Sequence, residues 1–299
     1  MKLENKILKI SMVGALFFAL FGIAWGWTAQ SEMIIFDGLY SFISLALTML
    51  SLYINNFIAK KELDKYPFGK YILEPLVISF KSLIIGGMCL YSLIGAIQDV
   101  VHGGNTVEYG SALIYSIVSV IGCGGVYIFM KKKGDKISSE LIKVEASQWL
   151  MDTLLSIGVL VGFVIAMILR NTRFSGLNVY IDPMMVIMVS VVFIKMPVQS
   201  FINAFKEILC VKADDEINDD IYLIVKEIEK EYKFEDSISR VSKIGGELRI
   251  EIDFIYNEES KLKDLDQMDC VREKVYDAIK HIDYNKWLNV SFTGDKKWA

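Results

Sequence analysis

Six long apolar segments dominate the first two-thirds of this 299-residue chain. They run roughly over 8–28, 33–57, 72–98, 109–130, 142–169 and 179–201. A helix needs about 20 mostly apolar residues to cross the hydrocarbon core of a bilayer, and each segment meets that length. The last third of the chain is charged and mixed. The pattern therefore predicts a six-transmembrane-helix α bundle over residues 1–209, followed by a separate C-terminal domain over 210–299.

The distribution of lysine predicts the orientation of these helices, because cytoplasmic loops carry an excess of Lys and Arg. The loops TAQSE and HGGNTVEYG have no basic residue, and the third loop on that side has only Arg170 and Arg173. The basic residues on the other side are Lys2, Lys6 and Lys9, then Lys60, Lys61, Lys65 and Lys70, then Lys131, Lys132, Lys133 and Lys136. We therefore expect both termini, and the C-terminal domain, to be cytoplasmic. The expected location is a bacterial plasma (inner) membrane.

The C-terminal domain has its own pattern of helices and strands. DDEINDDIYLIVKEIEKEY and KDLDQMDCVREKVYDAIKHI are typical of amphipathic helices. ISRVSKIG, ELRIEIDFIY and KWLNVSFT are typical of strands, and Gly245-Gly246 predicts a hairpin turn between the first two. The order αββαβ predicts a small α+β, ferredoxin-like domain with its helices on one face of the sheet. At under 100 residues its core is modest, so dimerisation would stabilise it.

Composition excludes several classes of function. A net charge of -4 gives no case for nucleic acid as a partner. The four cysteines lie far apart and there are only two histidines, which weighs against a histidine-rich zinc site. We find no nucleophile–base pair, cofactor loop or phosphate cradle, so the sequence predicts neither an enzyme nor a bound cofactor.

Two carboxylates lie inside the apolar segments, where an ionisable group indicates a functional site. Asp37 lies in MIIFDGLYSFISLALTML, and Asp152 lies in QWLMDTLLSIGVLVGFVIAMIL. Each is four residues from a second polar side chain, Asp37 from Ser41 and Asp152 from Gln148, so each pair shares a helical face. If the second and fifth helices pack together, the four side chains could hold a divalent cation. The alternative is that Ser and Gln join helices by hydrogen bonds, but that role does not require two carboxylates.

These motifs resemble those of the cation diffusion facilitator (cation efflux) family. FDGLYS stands where the family has an Asp-x-x-x-Asp-type motif on the second helix, and SQWLMDT where it has a His-x-x-x-Asp-type motif on the fifth. DKYPFGKYILEPL resembles the family's Asp-x-His-Pro-x-Gly-His-type loop before the third helix. The resemblance covers essentially the whole chain. It implies six membrane helices, cytoplasmic termini, a C-terminal metallochaperone-like domain that mediates dimerisation, and a transport site at the two motifs.

The departures from the family pattern concern the metal ligands. Ser41 replaces the second carboxylate, and Gln148 replaces the histidine. Tyr66 and Lys70 replace the two histidines of the loop, and the tail lacks the family's metal-binding histidines, so we expect metal sites there to be lost. The remaining set, Asp37, Ser41, Gln148 and Asp152, offers oxygen donors. Such donors favour Mg²⁺, Mn²⁺ or Ca²⁺, with Fe²⁺ possible, over zinc.

Two other charged residues, Lys81 and Asp182, lie within the apolar segments. Lys81, in the third segment, would either extend to the cytoplasmic interface or pair with Glu74, or its ammonium would approach Asp37 or Asp152 as a tethered cation. Asp182-Pro183 is typical of a helix cap followed by a first-turn proline, and predicts a structural role at the start of the sixth helix.

The sequence therefore supports two hypotheses of function. In the first, the chain is a secondary transporter that exports a divalent metal cation from the cytoplasm by alternating access, in exchange for protons, and forms a homodimer through its C-terminal domain. In the second, it is a transport-incompetent relative that acts as a regulatory or partner subunit. Loss of two family ligands and the presence of Lys81 motivate the second hypothesis.

Overall fold

The computed structural model describes residues 2–58, 60, 64–137, 140–170, 172–173, 175–262 and 264–299. Within the helices, the side chains of residues 2–6, 8, 51, 52, 55, 134–137, 140–145, 147 and 148 lie outside the description. The chain divides into two compact units. The first comprises Met1–Leu52 and Lys81–Gln199, and the second comprises Tyr53–Phe80 and Ser200–Ala299. The domain boundary between residues 209 and 210 remains a sequence-based prediction.

Six helical segments among the described residues are long and apolar enough to cross a membrane, as predicted. The helices are α1 (Lys2–Ala29), α2 (Glu32–Ile58), α3 (Leu73–Val101), α4 (Tyr109–Ile137), α5 (Glu140–Arg170), α6 (Ile181–Phe193) and α7 (Lys195–Ile208). In the first unit, buried side chains from α2, α3, α4, α5 and α6 form one core. A second cluster joins α1, α4 and α5 around Trp149, whose Nε1 donates to Ser11 Oγ at 2.7 Å.

The sixth apolar segment is not a single helix. It begins with a short 3₁₀ helix (Ser175–Tyr180), continues as α6, and is interrupted by a turn at Ile194 before α7. Pro197 explains the interruption, because proline has no amide hydrogen to donate to the carbonyl four residues earlier, that of Phe193. The break separates the apolar α6 from the amphipathic α7.

Glycines allow α1 and α2 to approach closely. A Cβ added at Gly38 would lie 2.6 Å from the Ile23 nitrogen, and one at Gly26 would lie 2.7 Å from the Ile35 nitrogen. A Cβ at Gly22 would lie 3.0 Å from the Gly38 Cα. Small residues at helix interfaces are a common way for membrane helices to pack backbone against backbone. This contact fixes the face of α2 that carries Asp37.

Asp182 has a structural role, but it does not cap its own helix as the sequence suggested. The residue before α6 is Tyr180, without a side-chain cap, and Asp182 lies inside the first turn. Its Oδ1 accepts from Ser31 Oγ at 2.5 Å, and its Oδ2 accepts from the Glu32 amide at 2.8 Å. Ser31 Oγ in turn accepts from the Ile34 amide. The fully buried carboxylate therefore caps α2, because the free amides at that helix start need acceptors.

The C-terminal part of the second unit has the predicted αββαβ order. It consists of α8 (Asp215–Tyr232), β1 (Asp236–Ile244), β2 (Glu247–Ile255), α9 (Leu265–Ala278) and β3 (Asn285–Thr293). The three strands lie in the order β1-β2-β3; β1 pairs antiparallel with β2, and β2 pairs parallel with β3. Gly245-Gly246 forms the hairpin turn, with Gly245 at φ +57°. The predicted hairpin is confirmed.

The alternation of apolar and charged residues along β2 decides which face of the sheet α8 and α9 cover. Leu248, Ile250, Ile252 and Phe254 are buried against side chains of α8 and α9, such as Val225 and Val271. The intervening residues of β2 are charged, and Asp253 forms an ion pair with Arg240 of β1 at 2.7 Å. Both helices therefore cover one apolar face, and the other face is polar, as the period-two pattern predicted.

The hairpin tip of the C-terminal domain is held by carboxylates from outside the sheet. The Gly246 amide donates to Glu74 Oε2 at 2.8 Å, and the Gly245 amide donates to Glu207 Oε2 at 2.9 Å. Arg249 donates to the Phe68 carbonyl at 3.3 Å. We call these contacts the hairpin clasp. It ties the segment before α3, the first turn of α3 and the end of α7 to one turn of the sheet.

Candidate metal site in the membrane helices

Asp37 lies in the second turn of α2 and is half-buried. The hydroxyl of Tyr115, from α4, donates to Asp37 Oδ2 at 3.0 Å. Tyr115 is 3 % exposed, and its ring stacks on Phe21 of α1 with centroids 5.5 Å apart. The carboxylate is therefore held between α1, α2 and α4 by a hydrogen bond that its charge strengthens.

Asp152 lies in α5, is half-buried, and has an interaction partner. Buried side chains of α2 and of α5, such as Phe36 and Phe163, belong to one core. The two predicted carboxylates therefore lie on helices that contribute to the same core.

The two neutral candidates are less fully described. Ser41 is half-buried and lies one helical turn beyond Asp37 in α2. The backbone of Gln148 belongs to α5, one turn before Asp152, but its side chain lies outside the described residues. Across the part of the chain that the structure describes, no three His, Cys, Asp or Glu side chains are grouped so that they could hold a metal ion. A metal site here would need the neutral oxygen donors as well as the carboxylates.

Lys81 lies in α3 and is half-buried. No ion pair joins Lys81 to Asp37 or Asp152 among the described side chains. Glu74, the alternative partner suggested by the sequence, accepts a hydrogen bond from the hairpin amide of Gly246. The described contacts therefore do not support Lys81 as a tethered cation at the two carboxylates.

Lys70, in the loop where the family has a histidine, is a buried cation. Its Nζ donates to the carbonyls of Phe57 at 3.4 Å and Lys60 at 3.1 Å, just after the end of α2. The ammonium also lies 4.0 Å from the centroid of the Phe57 ring and 4.7 Å from that of Tyr66. Terminal carbonyls of a helix attract a cation, and aromatic faces stabilise one. Lys70 thus has a local structural role in the loop.

One residue that contacts Asp37 is not evident from the sequence. Tyr115 lies in α4, in the apolar stretch YGSALIYSIVSVIGCGGVYIF. A buried tyrosine hydroxyl needs a partner, so Tyr115 carried a weak signal for a polar neighbour. Nothing in the spacing of α4 indicates that this neighbour is Asp37, 78 residues earlier.

Comparison with known proteins decides the family. Residues 8–209 match the family model of the cation efflux transmembrane domain. The chain belongs to the cation efflux family. The resemblance inferred from the motifs is thereby confirmed. The chain is an integral membrane protein of a family of metal cation transporters.

Two relatives of this cation efflux protein are informative. It is 21 % identical to the magnetosome protein MamB of Magnetospira sp. (strain QH-2) over 258 residues, which is 86 % of this chain and 85 % of the relative. It is 27 % identical to the manganese efflux system protein MneP of Bacillus subtilis (strain 168) over 173 residues, 58 % of this chain and 55 % of that relative. The first likeness covers most of both chains, and the second covers little more than half.

Proposed function

We propose that this cation efflux protein is a secondary transporter that exports a divalent metal cation from the cytoplasm by alternating access. Asp37 and Asp152 act as its charged ligands, and Ser41 and Gln148 act as neutral ones. The observation that carries the proposal is a half-buried carboxylate in each of two membrane helices, α2 and α5, whose buried side chains form one core. A carboxylate within membrane helices is costly unless a cation or a proton compensates its charge.

The proposed ion is one that prefers oxygen donors. Carboxylate, hydroxyl and amide oxygens suit Mn²⁺, Fe²⁺ or Mg²⁺ better than Zn²⁺, which favours nitrogen and sulfur in tetrahedral sites. The relative MneP is a manganese efflux system protein, which makes Mn²⁺ the first ion to test.

Proton exchange follows from the chemistry of the same ligands. A carboxylate binds a metal ion only when it is deprotonated, so metal binding releases protons and metal release is favoured by protonation. A site with two carboxylates can therefore carry a metal ion in one direction and protons in the other. We propose that this exchange drives export across a bacterial plasma membrane with both termini in the cytoplasm.

A homodimer through the C-terminal domain is part of the proposal. The apolar face of the sheet is covered by α8 and α9, so the dimer contact must use another surface. The polar sheet face and exposed apolar side chains such as Leu265 and Trp298 are available for it. Light scattering of the purified full-length protein measures the dimer directly.

Flux measurements in proteoliposomes test the transport proposal. Purified protein is reconstituted, and uptake of Mn²⁺, Fe²⁺, Mg²⁺ and Zn²⁺ is followed with and without an imposed pH gradient. We expect Mn²⁺ flux to exceed Zn²⁺ flux, to depend on the pH gradient, and to be abolished in Asp37→Ala and Asp152→Ala. Glu108→Ala, which removes an exposed carboxylate just before α4, is the matched control and should transport normally.

The second hypothesis makes the opposite prediction in the same assay. The limited donor set among the described residues favours a relative that no longer transports and instead regulates or pairs with another membrane protein. Absence of flux for all four ions in correctly folded wild-type protein would support that alternative. Zinc flux that outpaces manganese and requires Asp37 would overturn the choice of ion but keep the transporter.

A further inference from the structure

We propose that Tyr115 is a positioning residue for the metal-binding carboxylate of Asp37, an inference that rests on the proposed function. The Tyr115 hydroxyl donates to one carboxylate oxygen, Oδ2, at 3.0 Å. It thereby fixes the rotation of the carboxylate and leaves Oδ1 free of that constraint. A ligand held in one orientation loses less rotamer entropy when the ion binds.

The surroundings of Tyr115 are shaped to hold its hydroxyl in this place. The ring is clamped against Phe21 of α1 at an interplanar angle of 23°. Next to Phe21, the absence of a side chain at Gly22 makes room for the hydroxyl, because a Cβ there would lie 2.8 Å from the Tyr115 oxygen. The close approach of α1 and α2 at Gly38 brings the carboxylate within reach of the same hydroxyl. The position of this hydrogen bond therefore depends on residues of α1, α2 and α4.

The Tyr115 hydroxyl is the one side-chain donor to Asp37 among the described contacts. Other polar side chains of these helices, such as Tyr40 of α2 and Cys123 of α4, donate no described hydrogen bond to this carboxylate. Tyr115 is therefore the side chain whose loss would release the carboxylate.

The opposing explanation is that Tyr115 is a buried tyrosine that bonds the nearest acceptor and only stabilises the bundle. Tyr109 provides a matched control for that explanation. It is in the same helix, is also buried, and its hydroxyl donates to the Asn178 carbonyl at 2.8 Å, away from Asp37. Tyr→Phe at either position removes one buried hydroxyl and one hydrogen bond, but only at Tyr115 does it release a proposed ligand.

The test is Mn²⁺ binding to full-length protein in detergent micelles, measured by electron paramagnetic resonance. We expect Tyr115→Phe to weaken Mn²⁺ binding about tenfold, the effect of losing one charge-assisted hydrogen bond. We also expect the spectrum of the bound Mn²⁺ to broaden, because a carboxylate that is no longer held offers the ion more than one geometry. Tyr109→Phe should keep the wild-type affinity and spectrum, whatever its effect on the unfolding temperature.

A second variant keeps the test decisive if Tyr115→Phe folds poorly. Phe21→Leu leaves the tyrosine intact but removes the ring stacked on it, so it should also weaken Mn²⁺ binding. If wild-type protein binds Mn²⁺ and Tyr115→Phe or Phe21→Leu binds it with the wild-type affinity, the inference is wrong although the proposed function stands. If the wild type binds no divalent ion, the proposed function fails and this inference fails with it.

Discussion

The two glycines of the β1–β2 turn form a matched pair for testing the hairpin clasp. Gly245 has a φ of +57°, and a Cβ there would lie 2.5 Å from Glu74 Oε2 and 2.9 Å from the Tyr71 carbonyl oxygen. At Gly246 a Cβ would come no closer than 3.7 Å to any neighbour, which is ordinary contact, and its φ is not left-handed. We expect Gly245→Ala to open the clasp and Gly246→Ala to leave it closed.

The magnitude follows from two terms. A left-handed conformation costs an alanine roughly 1–2 kcal/mol relative to glycine. Displacing Glu74 removes a hydrogen bond from the Gly246 amide to a charged acceptor, which contributes about 1 kcal/mol at a partly exposed site. The clasp in Gly245→Ala should therefore be less stable by about 2–3 kcal/mol, which is a factor of about 30 to 150 in its opening equilibrium. Gly246→Ala should change it by less than about 0.5 kcal/mol.

Hydrogen exchange of the full-length protein, followed by mass spectrometry, measures this opening locally. In Gly245→Ala the peptides that contain the hairpin tip and the first turn of α3 should exchange faster by the factor above. Peptides from α9, in the core of the same domain, should be unchanged. Equal exchange in the two glycine variants would refute the reasoning, because it would mean that neither the left-handed backbone nor the contact with Glu74 limits opening.

Three further predictions concern buried and paired charges. Asp182→Ala should destabilise the membrane unit by about 3 kcal/mol, because two hydrogen bonds to a charged acceptor are lost. Asp215→Ala, which breaks an exposed ion pair, should leave the unfolding temperature unchanged, and thermal unfolding in micelles compares the two variants. Lys70→Met keeps the buried stem but removes the ammonium, so the last turn of α2 should lose about 1–2 kcal/mol of protection in hydrogen exchange. The hydrogen bond from Lys296 lowers the pKa of Asp236 to about 2. The stabilisation that the ionised Asp236 gives the folded domain is therefore complete above about pH 4 and is lost as the pH falls toward 2. In Asp236→Asn the free energy of unfolding of the C-terminal domain should therefore fall less between about pH 4 and pH 2 than in the wild type. The difference should be no more than about 1 kcal/mol, because solvent screens this exposed pair.

The dependence on salt and the following outcomes test these three predictions. Raised salt should weaken the Asp236 effect, since that pair is largely exposed, but should leave the Asp182 effect intact. An Asp182→Ala protein as stable as the wild type would show that α2 does not need a cap from α6. Unchanged exchange in Lys70→Met would mean that the loop is held by its aromatic side chains rather than by the ammonium.

The secondary structure of this protein was largely predictable, because its signals are local. Apolar length alone indicated six membrane helices, and six helical segments of sufficient length are found among the described residues, with α4 extended at its C-terminal end and the sixth segment interrupted. Alternation along β2 indicated the strand and its covered face, and Gly245-Gly246 indicated the hairpin. Pro197 would have indicated the interruption of the sixth segment, since its effect depends only on the residue four positions earlier.

The candidate site was predictable in its charges but not in its partners. The cost of a carboxylate in an apolar helix singles out Asp37 and Asp152 without any structure. That Tyr115 holds Asp37, and that Asp182 caps α2 rather than α6, depends on the rotation and spacing of helices far apart in the chain. Local periodicity determines which face of a helix is polar, whereas only tertiary packing, here through glycines that let α1 and α2 touch, decides which side chain that face meets.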